Sequence, residues 1–264
     1  MTAEELKQYS DPRRYNLILT LGTGRLQGWF VPYGRNDIPP VKGIEVAYTP
    51  EEDRTLAQIE NAVYDNPILL EEYDCHILID TPKQLLVPGK EPGNLAAQSM
   101  KRFYESEESD VFTAPMGEAT IAFTLCPGLR SFLNRTFAGV TPQHRLSPLF
   151  RWFSADRNAP GRVRVYADVD APYLHLLAFN GERLLHASTH RAPATADAAY
   201  LIFALWQQLG LGADGGQLNI SGSPQTRKEL MPLLRRHINY VGLSLLPRME
   251  NADNIPTPVL LSFA

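Results

Sequence analysis

Between Val163 and Ser223 the hydrophobic positions change their spacing twice, and the rest of the chain is organised around that stretch. Three short apolar runs, 163–169, 173–179 and 183–189, are rich in β-branched, aromatic and leucine residues and are bounded by turn signals, so the pattern predicts three antiparallel strands. The separators are Asp170-Ala171-Pro172 and Asn180-Gly181. Asn180 and Gly181 are expected to form the second turn themselves, because both residue types tolerate the positive φ that a two-residue hairpin asks for. From Ala196 to Leu209 the spacing becomes helical, with Ala198, Leu201, Ile202, Leu205 and Leu209 on one stripe, Thr195 as N-cap and Gly210 as stop. A fourth strand closes on Ser221-Gly222-Ser223. Meander, helix and returning strand make half of a mixed sheet.

The first half carries a matching series. Strands are expected at 15–21 and 26–33, with Gly22-Thr23-Gly24 turning the chain between them, then a polar loop over 34–42 and a strand over 44–48. Thr49-Pro50-Glu51-Glu52 has the form of a capping box with proline at the first helical position, and predicts a helix to about Val63. A buried strand follows over 75–79, then the apolar element Leu85 to Pro88, a helix over 94–104, a solvated acidic loop over 105–110 and a strand over 119–125. A helix from Pro127 carries Leu129, Phe132 and Leu133, and His144 precedes a last helix over 147–153. The polar segment 155–162, with Pro160-Gly161, marks a boundary between units 1–157 and 158–264. Beyond Gly222 a helix over 225–238 is expected to be kinked at Pro232, and 259–263 reads as a terminal strand. The halves match as α/β subdomains, with no short-period repeat.

Composition narrows the chemistry. A chain of 264 residues, 44% hydrophobic and 20% charged, is ordinary for a globular protein with a sizeable core. Its net charge of −4 offers no basic field, which disfavours nucleic acid as a partner. Cys75 and Cys126 lie far apart in strand-like surroundings and read as reduced, buried thiols. Residues 1–16 contain no apolar signal region and no run is long enough to span a membrane, so the expectation is a cytoplasmic protein, not an integral membrane one. No GxSxG elbow, Walker A loop, HExxH or zinc spacing occurs. Gly22-Thr23-Gly24 followed by Gly28 leads into a strand, which rules out a dinucleotide loop. On a strand, His186 and His190 stand roughly 13 Å apart by the rise per residue, too far to share an ion, and with His175 they read as edge or surface residues. His144 is expected to cap its helix or to hydrogen-bond into the interface between the halves. The basic pairs Arg13-Arg14, Arg227-Lys228 and Arg235-Arg236 read as solvated positions.

On these elements the chain resembles an uncharacterised bacterial family with the actin-like ATPase fold shared by actin, the heat-shock chaperone ATPases and the sugar kinases. The opening hairpin from Leu17 to Val31, Leu86-Val87-Pro88, the segment from His144 to Leu149, the meander from Val163 to Thr189, the helix ending Gln208-Leu209-Gly210-Leu211 and Ile220-Ser221-Gly222 carry the resemblance. It covers nearly the whole chain and implies two tandem RNase H-like subdomains of βββαβα type. These motifs are patterns of apolar residues and turns, so they specify fold more closely than chemistry.

What the resemblance implies for nucleotide binding can be followed residue by residue. Members that bind ATP open each half with an Asp-x-Gly-Thr type hairpin, whose backbone N–H groups cradle phosphates while the acid holds Mg²⁺ through water. Here the first hairpin reads Thr20-Leu21-Gly22-Thr23, with a hydroxyl in place of the acid, a poor ligand for a hard cation. The second reads Asp168-Val169-Asp170-Ala171, where Asp170 stands in place of glycine and would repel phosphate. The adenosine-side glycine pair is reduced to Ser221-Gly222-Ser223. Thr20, Gly22, Thr23, Asp168, Asp170, Gly222 and Ser223 are therefore the cleft candidates, and the bland alternative is that all three stretches are plain turns. The expected function is a non-catalytic scaffold or protein-interaction module with a degenerate nucleotide cleft, no cofactor and an unidentified protein partner, with room for peripheral membrane contact. The alternatives are a weak ATP binder or ATPase in which Asp168 holds Mg²⁺ and Thr23 helps with the phosphates, and a peptide or membrane-protein adaptor like the pilus-assembly relatives.

Overall fold

The computed structural model describes residues 3–35, 38–49, 54–90, 94–105, 110–156, 162–249 and 254–262. The first half runs α1 (Ala3–Leu6), β1 (Tyr15–Gly22), β2 (Arg25–Pro32), β3 (Val41–Ala47), α2 (Thr55–Tyr64), β4 (Cys75–Asp80), β5 (Gln84–Pro88), α3 (Asn94–Tyr104), β6 (Phe112–Met116), β7 (Ala119–Phe123), α4 (Leu129–Thr136), β8 (Gln143–His144) and α5 (Leu146–Ser154). The second runs β9 (Val163–Asp170), β10 (Tyr173–Asn180), β11 (Arg183–Arg191), α6 (Thr195–Gln208), β12 (Gly216–Gly222), α7 (Pro224–Leu234), β13 (Val241–Leu243) and α8 (Thr257–Leu260).

Two five-stranded sheets have one plan. Their orders are β3-β2-β1-β4-β8 and β11-β10-β9-β12-β13, so each places its first hairpin and third strand antiparallel and then adds two parallel strands beside the first. The first half inserts a three-stranded sheet, β5-β7-β6, between β4 and β8. Because the crossovers are parallel, the carboxyl ends of β1, β4, β8, β9 and β12 finish on the same side of their sheets, where open α/β sheets hold their ligands. Register fixes the neighbours there: Gly22 lies opposite Asp80, His144 opposite Ile79, Ser221 opposite Asp168 and Gly222 opposite Val169.

Packing joins the halves. Leu17, Leu19 and Leu21 of β1 pack with Ile59 and Val63 of α2, Phe132 of α4 and Leu146, Leu149 and Phe153 of α5. The same cluster continues into Tyr166, Leu177 and Phe179 of the second sheet, so α5 is shared by both. Phe153 stacks on Tyr166 with ring centroids 4.2 Å apart. The opposite face of the second sheet has its own core under α6 and α7, including Val165, Ile202, Leu218 and Leu230. The chain then returns, and Val259 of α8 seals Ile18, Trp29 and Leu78 on the outer face of the first sheet.

Several expectations change. The run 259–263 is not a strand: Thr257–Leu260 is a short helix with proline in its first turn, and a four-residue apolar run has no period to distinguish the two, while Phe263 lies outside the described residues. The β10–β11 turn is Gly181-Glu182, since Asn180 still pairs with Arg183 and only Gly181 has a positive φ, +61°. Ala194, not Thr195, is the N-cap of α6; the Asp197 carboxylate takes the Ala194 N–H, and the Thr195 hydroxyl donates to Glu229. Helix α7 stops at Leu234, with Pro232 in its last turn. Asp110 is buried and accepts the Gly128 N–H at the start of α4, so that end of the acidic loop is not solvated. Strand β6 escaped notice because Pro115 argues against a strand, yet β6 is an edge strand, where proline is tolerated. The capping box at Pro50 to Glu52, most of the acidic loop and the 157/158 boundary lie outside the described residues. Among the described residues no helix is long and apolar enough to cross a membrane.

Gly222 and Ser223 have structural duties at the end of β12. A Cβ on Gly222 would lie 2.1 Å from the Val169 carbonyl oxygen, and its φ is +99°. Ser223 donates its N–H to that same carbonyl and accepts the Thr226 N–H as N-cap of α7. Ser223→Ala is expected to cost about 1 kcal/mol, read as a lowered urea midpoint.

Candidate functional site

A buried guanidinium stands between the two halves. Arg145 follows the two-residue strand β8 and is 2% exposed; its N–H donates to the Ile79 carbonyl, which fixes the residue beside the end of β4. One arm of the side chain donates to Asp80 at 2.5 Å, the other to Asp170 at 2.7 Å. Asp80 ends β4, next to the central strand β1 of the first sheet, and Asp170 ends β9, the central strand of the second, so a single side chain ties the sheets together at their carboxyl ends. Arg25, from the tip of the first hairpin, reaches the same Asp170 oxygen at 3.0 Å. The Thr23 hydroxyl lies 2.7 Å from the Tyr173 hydroxyl, a second bridge between the two hairpins.

Around this ion pair the polar groups are paired in layers. Asp168 is buried and accepts the Ser221 hydroxyl at 2.7 Å. Buried His175 lies with Nε2 3.7 Å from Asp80 and Nδ1 2.9 Å from the Thr189 hydroxyl. His144 caps α5, its Nδ1 accepting the Leu146 N–H, and so carries its proton on Nε2, which donates to the Thr81 carbonyl at 2.9 Å. The capping expectation for His144 holds, whereas His175 is an interior residue instead of a surface one.

Burial and charge set the protonation states. Burial alone would lower the Arg145 pKa, but Asp80, Asp170 and Asp168 outweigh it and raise it, so the guanidinium stays charged. Burial pushes Asp170 up, and the Arg145 and Arg25 charges overcome that push and hold its carboxyl below the usual range. Asp168 is raised by burial, against the Thr257 and Ser221 hydroxyls and Arg145. Burial depresses His144 to about 4 and His175 to about 3. An unfolded chain protonates such imidazoles near pH ~6.5, before the folded chain does, so the stability they carry is complete above that pH and is lost as pH falls toward the folded values. Each is expected to remove about 2 kcal/mol between pH ~7.5 and ~5. Urea midpoints measured across that window should fall steadily, and a flat profile would contradict buried neutral imidazoles.

The sequence candidates separate into two groups. Gly22 and Thr23 line the cleft and Asp170 meets it through Arg25, whereas Asp168 is buried and bonded to Ser221. Thr20 does not join them: its hydroxyl points to Gln27 across the hairpin at 3.4 Å. Gly222 and Ser223 are spent on the close approach to Val169 and on the α7 cap. Asp80, Arg145, Arg25 and Tyr173 are not among the sequence candidates, and His175 reads there as an edge or surface residue. Asp80 was findable as the acid at the carboxyl end of a buried strand, whereas nothing local marks Arg145 as interior.

The carboxylates and the first hairpin tip of this cleft are already engaged with Arg145 and with Tyr48. Magnesium asks for near-octahedral oxygen ligands and retained waters. Here a planar guanidinium already occupies Asp80 and Asp170. The second hairpin has Pro172 at its tip, which removes one of the N–H donors that would cradle a phosphate. At the first hairpin the Tyr48 hydroxyl lies 2.6 Å from the Gly22 carbonyl oxygen and 3.0 Å from that of Arg25, its one proton shared between them, and clamps the tip. Outside these contacts a cavity of about 550 Å³ remains, lined by Gly22, Thr23, Arg25, Tyr48, Tyr173 and Arg191 among others. Tyr48→Phe is expected to cost about 1–2 kcal/mol through the two unserved carbonyls, as measured by urea denaturation.

Comparison with known proteins agrees with this architecture. A family described as "Protein of unknown function (DUF3822)" matches residues 9–241. No curated protein matches. A Bacteroides thetaiotaomicron protein with an actin-like ATPase fold and unknown function is similar at a TM-score of 0.75 and 19% identity, over 97% of this chain and 98% of that one. The chain is also similar to a structure of the PilM-PilN type IV pilus biogenesis complex, at 0.47 and 16% identity over 95% and 97% of the chains. A third similarity is to the cytoplasmic domain of EpsL, an inner membrane component of the Vibrio cholerae type II secretion system, at 0.44 and 11% over 93% and 92%. The fold is therefore the actin-like ATPase fold, as its two sheets of matching strand order indicate.

Proposed function

The chain belongs to the DUF3822 family, and we propose that it is a non-catalytic scaffold, an actin-like fold whose nucleotide cleft is held shut by an internal ion pair and which works by binding another protein. The observation that carries this reading is Arg145. It places a fixed positive charge between carboxylates of both halves, where a nucleotide-binding member would need an exchangeable cation. An enzyme that hydrolyses ATP must open this site and admit phosphates against Asp170, which is ionised because two arginines hold it so. The second observation is the pair Leu243, at the end of β13, and Leu245, just beyond it, 51% and 66% exposed, which supplies an apolar surface for a partner.

Two experiments test the two halves of this reading. Phosphate release from ATP and Mg²⁺ by the purified protein is expected to match buffer alone, and turnover abolished by Asp168→Ala would contradict it. Immobilised protein is expected to retain a host protein that Leu243→Asp with Leu245→Asp no longer retains. Recovery of chaperones alone, equally by both forms, would count against a scaffold.

A further inference from the structure

Away from the cleft, two imidazoles meet on the outermost strand of the second sheet. His186, Ser188 and His190 alternate along β11 onto one face, and the Nε2 atoms of both rings approach the Ser188 hydroxyl, at 2.6 Å and 2.8 Å. Their backbone spacing is that of a strand, but the rings lean toward each other, so they are not too far apart to share a ligand as strand rise alone suggested. Their cross-strand partners on β10 are Ala178, Leu176 and Leu174, which offer no side-chain donor to compete. Strand β11 ends the sheet and both imidazoles are half-buried, so an ion has a path in and an apolar floor beneath it.

A hydroxyl has one proton. Ser188 can donate to only one of the rings and must accept an N–H from the other, so two neutral rings have to sit in opposite tautomers. A cation at this point would take the Nε2 lone pair of both rings, with each proton on Nδ1, and so place them in the same tautomer. From this convergence we propose that His186 and His190 form a site for a late first-row divalent cation, of the class Zn²⁺, Ni²⁺ or Cu²⁺, with the Ser188 hydroxyl displaced to its edge and water completing the coordination. Imidazole nitrogen suits these ions and disfavours Mg²⁺ and Ca²⁺. Among the described residues no group of three or more His, Cys, Asp or Glu side chains is placed to hold an ion, so this is a site with open positions, not a closed structural one.

The test is titration of the full chain with Zn²⁺ alone, followed calorimetrically at neutral pH. One ion per chain is expected, with His186→Ala and His190→Ala each weakening binding about tenfold or more and Ser188→Ala leaving it within about threefold. Zinc binding that is unsaturable, or that survives both histidine substitutions, would overturn the proposal. Long-range ¹H–¹⁵N spectra of the unaltered protein give a readout that does not depend on folded variants. Zinc should move two imidazole Nε2 resonances together, and spectra unchanged by zinc would overturn the site equally.

Discussion

Arg145→Met is expected to destabilise the protein by about 3–5 kcal/mol, because it strips buried Asp80 and half-buried Asp170 of their shared counter-charge and leaves Asp170 with Arg25 alone. Arg145 is 2% exposed and its two arms reach acids on different sheets, so water cannot replace it without opening the interface. Arg145→Lys should recover only part of the loss, since an ammonium is a point charge and cannot present two diverging arms to two carboxylates. The diagnostic variant combines Arg145→Met with Asp80→Asn and Asp170→Asn. Removing charge from all three partners is expected to restore most of the stability, since a buried charged group is costly chiefly when its partner is missing. Urea denaturation of the four proteins measures this, and a triple variant no more stable than Arg145→Met would show that the carboxylates are not the source of the loss.

Gly222→Ala is expected to be as damaging or worse, at about 4 kcal/mol or more, or to prevent accumulation of folded protein. A methyl group there would sit 2.1 Å from the Val169 oxygen and 2.6 Å from its carbonyl carbon, both backbone atoms of the neighbouring strand that cannot turn aside. The φ of +99° adds strain that only glycine avoids. Gly181→Ala is the control: its φ is also positive, +61°, but nothing lies within 4 Å of the added atom, so only the conformational cost of about 1–2 kcal/mol applies. Circular dichroism and urea midpoints of the two variants separate packing from φ alone. Equal effects at the two sites would mean that the contact with Val169 is not what selects glycine.

The strands and helices of both halves were legible because period and turn chemistry agreed along them. Tyr15–Gly22, Asn94–Tyr104 and Tyr173–Asn180 all fall within a residue of their expected ends. What failed was short or non-local. Gln143–His144 and Val241–Leu243 are too brief to have a period, and each exists only because a longer parallel strand lies beside it. The tail at Thr257–Leu260 is helical, but four buried residues in a row read equally well as a strand. The cleft was half legible. Thr23, Asp168 and Asp170 stand in hairpins that the sequence marks out, and the departures from a phosphate-binding pattern, Thr20 in place of the acid and Asp170 in place of glycine, are visible residue by residue. Arg145 was not, because an arginine after an unremarkable histidine becomes interior only when two sheets bring Asp80 and Asp170 to it across sixty-five and twenty-five residues of chain. The same holds for His186 and His190, whose rings meet through side-chain tilt that strand spacing does not record.

The measurement that tests the closed cleft most directly is calorimetric titration of the purified protein with ATP and Mg²⁺, repeated with ADP. No saturable heat at millimolar nucleotide is expected, because Arg145 engages Asp80 and Asp170 and the Ser221 hydroxyl engages Asp168. Saturable binding at micromolar nucleotide, weakened by Asp168→Ala, would mean that the ion pair opens for a ligand and that the protein is a nucleotide-binding member of its fold after all.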